Sequence, residues 1–261
     1  MEFVKTEING RIAKVKLSRG DGRNALSHQA MTELRDTGRM LQDQPEITAV
    51  VLYTDGGNFS AGADLSDASH FRDDASLLEL RHIMKLGPDM CKAWEDIEAY
   101  TIAAIEGYCI GGASALVAAL DYRVLARGGH MRLPEIGLGI NMSWQTIPRL
   151  VAQIGPARTK QYVTLSELIE PEEALSWGLV EELADNGTTL ERAMSFAERV
   201  AALPPLPVKM TKMAVNATAN ALAQATSYMD RDQYMLTVQT QDFKESVNAF
   251  FEKRDPKFTG N

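Results

Sequence analysis

The chain has 261 residues, 45% hydrophobic and 24% charged, with a net charge of −8. That length supports one large α/β domain, or one domain with a small appendage, and the acidic balance argues against a general nucleic-acid binder. Cys91 and Cys109 are the two cysteines and form no Cys-x-x-Cys pair, so a reducing setting is expected, with no disulfide framework. Met1-Glu2-Phe3-Val4-Lys5 lacks a signal-peptide pattern, no apolar run approaches the ~20 residues that span a bilayer, and the expected location is the cytoplasm.

Residues 3–8 and 11–17 read as short strands around Asn9-Gly10, a strong hairpin signal. Asp21-Gly22-Arg23-Asn24 reads as a loop. Ser27 is placed to cap a helix running to about Gln42, with Met31, Leu34, Gly38 and Leu41 on one face. Residues 48–53 form an apolar strand rich in β-branched and aromatic side chains. A glycine-bearing turn follows, Phe59-Ser60-Ala61-Gly62-Ala63-Asp64-Leu65, whose small residues let the backbone run close to a ligand. Asp64 is placed to cap a following helix, with Asp67 in its first turn. Residues 66–74 are polar and loop-like. Leu77, Leu80, Met84, Trp94 and Ile97 then mark a long amphipathic helical region that Gly87-Pro88 should kink or divide.

The strand at 101–105 leads into a second turn, Gly107-Tyr108-Cys109-Ile110-Gly111-Gly112-Ala113, then a small-residue helix over 113–120 and a buried strand over 121–126. This alternation argues for a mainly parallel, layered α/β core. Pro134-Glu135 opens a loop containing Gly137, Gly139 and Asn141. From Ser143 onward the chain reads mostly helical, punctuated by Pro156, Pro171 and Pro204-Pro205-Leu206-Pro207, with two helices over about 205–253. No internal repeat or low-complexity segment is visible.

Free backbone N–H groups at a strand-to-helix turn bind an anion, or a carbonyl oxygen on which negative charge develops. Two such turns supply two converging donors, although two glycine turns could also merely fit a tight fold. Glu135 stands in an apolar stretch, Leu133-Pro134-Glu135-Ile136-Gly137-Leu138. Desolvation raises the pKa of such a carboxylate, which suits general acid–base work near neutral pH. A surface carboxylate or a buried ion pair is the plainer reading. Asn141 or Ser143 could orient a water or a polar group, or cap a helix, and Trp144 reads as core. Ser114 lacks the second glycine of a Gly-x-Ser-x-Gly elbow. His28, His70, His82 and His130 show no metal spacing, and no phosphate loop or Rossmann fingerprint supports NTP or NAD binding.

Phe59 to Leu65, followed some fifty residues later by Gly107 to Ala113, resembles the crotonase superfamily, the enoyl-CoA hydratases and isomerases. Arg23-Asn24-Ala25-Leu26, the string from Asp121 to Ala126, Leu133 to Gly139, and Ala249 to Phe258 extend the likeness over nearly the whole chain. The resemblance implies a ββα spiral core over residues 1–200 and a C-terminal helical trimerisation region over 201–261, giving a homotrimer or hexamer. It implies that the N–H groups of Ala63 and Gly112 hold the thioester carbonyl of an acyl-CoA, with Glu135 as the proton-transfer residue. Arg23, Ala61, Ala63, Asp64, Leu65, Ser66 and Gly112 match the substrate- and CoA-binding positions, with Asn141 and Ser143 as possible auxiliaries. No metal and no permanently bound cofactor are expected; coenzyme A enters with the substrate. The helical stretch after the first turn would wall an acyl pocket, or be ordinary core.

The departure is at Ala115, where typical hydratases of this family carry a second glutamate. Single-glutamate members are commonly isomerases, and the string from Asp121 to Ala126 resembles mitochondrial Δ3,Δ2-enoyl-CoA isomerases. Dienoyl-CoA isomerases place an aspartate where Ser143 falls. The expectation is therefore a double-bond isomerase, with hydration of a bulky or cyclic enoyl-CoA, or non-catalytic acyl-CoA binding, as alternatives.

Overall fold

The computed structural model describes residues 1–67 and 75–261. The loop expected over 66–74 lies outside the described residues from 68 onward, as does His70. Strands β1 (Val4–Asn9) and β2 (Ile12–Leu17) pair antiparallel about Gly10, whose φ is +58°. Helix α1 (His28–Gln42) begins where the Ser27 hydroxyl accepts the Ala30 N–H, and it buries Met31, Leu34, Gly38 and Leu41 on one face. Strand β3 (Ala49–Thr54) follows, then α2 (Leu77–Ile83), α3 (Leu86–Glu95), β4 (Tyr100–Ile105), β5 (Tyr108–Ile110), α4 (Gly112–Ala118), β6 (Tyr122–Ala126) and β7 (His130–Arg132). After a 3₁₀ turn at Ile136–Leu138 come α5 (Thr146–Leu165), β8 (Leu168–Ile169), α6 (Pro171–Trp177), β9 (Glu182–Ala184), α7 (Thr189–Ala201), α8 (Pro205–Ala219), α9 (Ala223–Ser227), α10 (Asp230–Thr237) and α11 (Gln241–Glu252).

The main sheet runs in the order β1-β2-β3-β4-β6-β9, parallel except for the first hairpin, and a smaller sheet joins β5, β7 and β8. Central strands are apolar on both faces because helices cover both. Val50, Leu52, Ala103 and Ile105 enter the core shared with α1, α3 and α4, while Ala49, Val51, Ile102 and Ala104 face Ala193 and Ala197 of α7. The chain is thus a mixed α/β protein with a helical C-terminal region.

Four sequence expectations are corrected. The amphipathic region divides at Met84-Lys85, and Gly87-Pro88 sit in the first turn of α3, where a proline lacks an N–H that would be unpaired anyway. Residues 107–113 contain strand β5 as well as a turn. The region after Ser143 carries two short strands, β8 and β9, too brief for a periodic signal. Residues 205–253 hold four helices, α8 to α11, separated near Asn220, Tyr228 and Val238. Among the described residues, no helix is long and apolar enough to cross a membrane.

Candidate functional site

The two glycine turns lie side by side. Ser60 N–H donates to the Tyr108 carbonyl and Ile110 N–H donates to the Ser60 carbonyl, each at 3.1 Å, so the first turn runs along β5. Gly62 has φ +82°, and a Cβ there would collide with the Ile110 carbonyl oxygen while standing 3.2 Å from the Gly112 nitrogen. Gly111, at φ +55° and ψ −122°, turns the chain into α4 in a region that glycine alone adopts readily.

Among the donors these bonds leave over are those of Ala63 and Gly112. Leu26 N–H donates to the Gly62 carbonyl at 2.7 Å, Asp64 N–H to the Leu26 carbonyl at 3.1 Å and Ala115 N–H to the Gly111 carbonyl at 3.0 Å. The N–H groups of Ala63 and Gly112 have no acceptor among the described residues. For Gly112 the reason is general: it is the first residue of a helix, where N–H groups have no intrahelical partner.

Glu135 lies against the second turn. A Cβ on Gly111 would stand 2.9 Å from Glu135 Oε1. Its other oxygen, Oε2, is buried without a hydrogen-bond partner among the described residues. Burial pushes the carboxyl up to about 7, against the opposing pull of its own backbone N–H and of Arg132. A carboxyl poised there can take and return a proton at neutral pH.

These groups share a cavity of about 120 Å³. Ala61, Ala63 and Leu65 come from the first turn, Gly111 and Gly112 from the second, Met84 and Gly87 from the α2–α3 region, and Arg231 and Tyr234 from α10. Among the described residues lining it, Glu135 is the single carboxylate. Ala115 is buried in the core and is not part of this lining. A larger groove of about 970 Å³ borders α7 and α8, but neither glycine turn reaches it, and its charged groups include the ion-paired Arg149–Glu95 and Lys212–Asp121. The smaller cavity is the candidate site because it gathers both turns and Glu135.

The structure brings Ala61, Ala63, Leu65, Gly112, Glu135, Asn141 and Ser143 together around the cavity. Arg23, Asp64 and Ser66 are not in its lining. The Arg23 side chain is exposed, and its carbonyl accepts the Ala61 N–H at 2.9 Å. Asp64 begins no helix among the described residues. Its carboxylate instead accepts from Arg19 Nη1 at 2.6 Å and from the Ser66 hydroxyl at 2.6 Å. Burial opposes its ionisation, yet these bonds hold it below the usual carboxylate range. Asp67, expected in a helix turn, accepts the His28 N–H at 2.8 Å.

Neither Asn141 nor Ser143 caps α5; the residue before that helix is Gln145, in the left-handed region. Asn141 is tied to α10 through its N–H on Thr237 Oγ1 and its Nδ2 on Gln233 Oε1, each at 3.0 Å. The Ser143 carbonyl accepts from the Thr146 N–H at 3.2 Å and hydroxyl at 2.7 Å.

Trp144, read from sequence as core, lines the cavity. Tyr234 also reaches it; burial, with the nearby charge of Glu135, pushes its phenol up to about 12. No local signal could have found Tyr234, which reaches the site only through the packing of a helix about a hundred residues farther along the chain. Among the described residues, no three His, Cys, Asp or Glu side chains cluster as metal ligands.

Comparison with known proteins follows the same lines. The family described as enoyl-CoA hydratase/isomerase matches residues 7–261. The chain is 29% identical over 258 residues to a crotonyl-CoA hydratase of Syntrophomonas wolfei subsp. wolfei, covering 98% of each chain. It is 27% identical over 249 residues to a short-chain-enoyl-CoA hydratase of Clostridium acetobutylicum, covering 95% of this chain and 94% of that one. A crystal structure of an enoyl-CoA hydratase from Mycobacterium avium subsp. paratuberculosis K-10 superposes with a TM-score of 0.87 at 21% identity, over 98% of both chains, and supports the fold alone.

Proposed function

Since this chain belongs to the enoyl-CoA hydratase/isomerase family, we propose that it processes acyl-CoA thioesters by shifting a carbon–carbon double bond in an enoyl-CoA. The observation that carries this reading is the single carboxylate among the described residues lining the cavity, Glu135, beside two unpaired main-chain N–H groups.

In this scheme the thioester oxygen of a 3-enoyl-CoA accepts from Ala63 N–H and Gly112 N–H. Glu135, ionised, takes a proton from C2. The C–H electron pair forms the C1–C2 double bond, and negative charge moves onto the thioester oxygen, where two fixed dipoles stabilise it without reorganising. The carboxylic acid so formed returns the proton to C4. The double bond comes to rest between C2 and C3, the carbonyl reforms, and Glu135 is again ionised. One carboxylate suffices because the reaction is neutral in protons and adds no water. Arg23, Asp64 and Ser66 would then contribute to the CoA side of the site, and coenzyme A arrives and leaves with the substrate.

A second reading, hydration, is favoured by the relatives named as hydratases. Glu135 would then activate a water held by Asn141 or Ser143. Incubating 3-enoyl- and 2-enoyl-CoA esters in D₂O, with mass and chromatographic analysis, separates the two. A shifted double bond with deuterium and no added water supports isomerisation. Added water with no shift sinks it in favour of hydration.

We also infer self-association into a homotrimer or a pair of trimers. Helix α8 turns Lys209 and Lys212 inward and leaves Leu206, Met210, Met213 and Val215 exposed, the reverse of a lone surface helix. Light scattering that gave a monomer mass would refute this.

A further inference from the structure

The scheme above assigns no task to Trp144, yet the chain goes to some length to place it. The indole lies between the two elements that face each other across the cavity. A Cβ on Gly112 would stand 2.5 Å from Trp144 Cη2 and Cζ3, and one on Gly87 would overlap the other side of the ring system at Cε2 and Nε1. The ring therefore occupies space that any side chain at either glycine would take. Both glycines are buried, one at the head of α4 and one in the first turn of α3.

The backbone that delivers this ring is strained. Trp144 has φ +62° and Gln145 φ +57°, two consecutive non-glycine residues in the left-handed region, a conformation that side-chain-bearing residues adopt only at a cost. Three side-chain bonds hold it there. Arg149 Nη1 donates to the Trp144 carbonyl at 2.8 Å and to the Gln145 carbonyl at 3.3 Å, and Asp230 Oδ2 accepts the Gln145 N–H at 2.7 Å. A tryptophan serving only as core filling could be supplied from relaxed backbone.

What the ring leaves free is small. The cavity measures about 120 Å³. Pockets that enclose drug-sized ligands run to ~300–1,000 Å³.

We propose that Trp144 is the end wall of the acyl site and restricts the enzyme to short-chain acyl-CoA thioesters. The inference rests on the reading of this cavity as the thioester site. With the carbonyl oxygen at the Gly112 N–H, the indole that packs on Gly112 and lines the same cavity takes up space that a longer acyl tail would need.

Calorimetric binding of saturated butanoyl-, hexanoyl- and octanoyl-CoA tests this without requiring any chemistry. The wild type should bind butanoyl-CoA most tightly and weaken with each added pair of carbons. Trp144→Gly removes the wall and relaxes the left-handed backbone. It should raise the octanoyl-to-butanoyl affinity ratio by ~10-fold or more, since methylene-sized differences in apolar pockets are worth ~10–200-fold. Trp144→Phe should fall between the two, and a melting curve for each variant separates loss of fold from change of preference. Two results overturn the inference alone: a wild type that binds all three esters without ranking, or variants that fold and keep the wild-type ranking. Failure of the wild type to bind any thioester overturns it together with the reading beneath it.

Discussion

Arg149 and Glu95, 54 residues apart, form a two-pronged ion pair, Nε to Oε1 at 2.8 Å and Nη2 to Oε2 at 3.2 Å, with both side chains almost out of water. The remaining nitrogen of the same guanidinium holds the carbonyls of Trp144 and Gln145. One cation thus fastens α3, the start of α5 and the loop between Ser143 and Thr146. Arg149→Met should lower stability by about 3 kcal/mol, because Glu95 loses its bidentate partner and keeps only Asn220 Nδ2 at 3.1 Å and Lys92 Nζ at 3.8 Å. Arg149→Lys should recover only part of this, since an ammonium cannot reproduce the fork. Urea unfolding reads both, and an unchanged midpoint for Arg149→Met would refute the assignment.

Glu135 makes the protein's stability depend on pH. Its folded value of about 7 lies above the ordinary 4.5. Between those pH values the folded chain holds the proton more tightly than the unfolded one, so stability falls as pH rises through that window. Well above pH 7 the full penalty stands, on the order of 3 kcal/mol. Glu135→Gln should therefore melt higher than the parent at pH 8, with the difference gone at pH 4. Under the proposed function the same variant loses turnover while retaining thioester binding. The parent's kcat/KM should rise with pH through an apparent pKa near 7, because the first step needs the carboxylate.

Gly62→Ala should disrupt the site from the backbone. The new Cβ meets the Ile110 carbonyl, and the position has φ +82°. A loss of about 1–3 kcal/mol is expected, with turnover reduced more than the stability change accounts for, because the two turns would be pushed apart. Activity and denaturant midpoint measured together decide it; parental values in both would exclude a role for this contact.

Much of this was legible in the chain, and the reasons are local. Ser27 and the period of Met31, Leu34, Gly38 and Leu41 give α1 to the residue. Asn9-Gly10 gives the hairpin, and the apolar runs give the parallel strands. The two glycine turns are visible because backbone conformation and close approach dictate glycine there. Other features were not legible because their causes lie far away in sequence. Asp64 looks like a helix cap until Arg19, 45 residues earlier, takes its carboxylate. Trp144 looks like core until Gly87 and Gly112 are seen to make its slot. The breaks within 205–253 have no glycine or proline to mark them, and the helices there are short.

Lys212 pins α8 to the sheet. Its ammonium pairs with Asp121 at 2.6 Å and donates to the Ala99 carbonyl at 2.9 Å, and burial holds its pKa below the usual lysine value against the pull of Asp121. Lys212→Met should cost about 3 kcal/mol, because Asp121 keeps the Thr101 N–H and hydroxyl but loses its counter-charge. Adding Asp121→Asn should restore part of that loss. A double variant no more stable than the single one would show that the carboxylate is not the source of the cost.

Both thiols should be inert in the native state. Burial pushes Cys91 and Cys109 up to about 12, so almost no thiolate is present at neutral pH. A thiol reagent at pH 8 should label neither cysteine until denaturant is added. Rapid labelling of folded protein would contradict the burial of both side chains.

The two unpaired N–H groups beside Glu135 belong to the peptide chain, not to side chains. They carry no ionisable proton to tune, and no codon specifies them directly; what codons specify is the pair of turns that presents them. Mutation can therefore exchange Glu135 or Trp144 one residue at a time while the pair of turns persists. Under the proposed function, heritable change in such a molecule falls on what happens after the carbonyl is polarised, so chemistry can diverge faster than architecture.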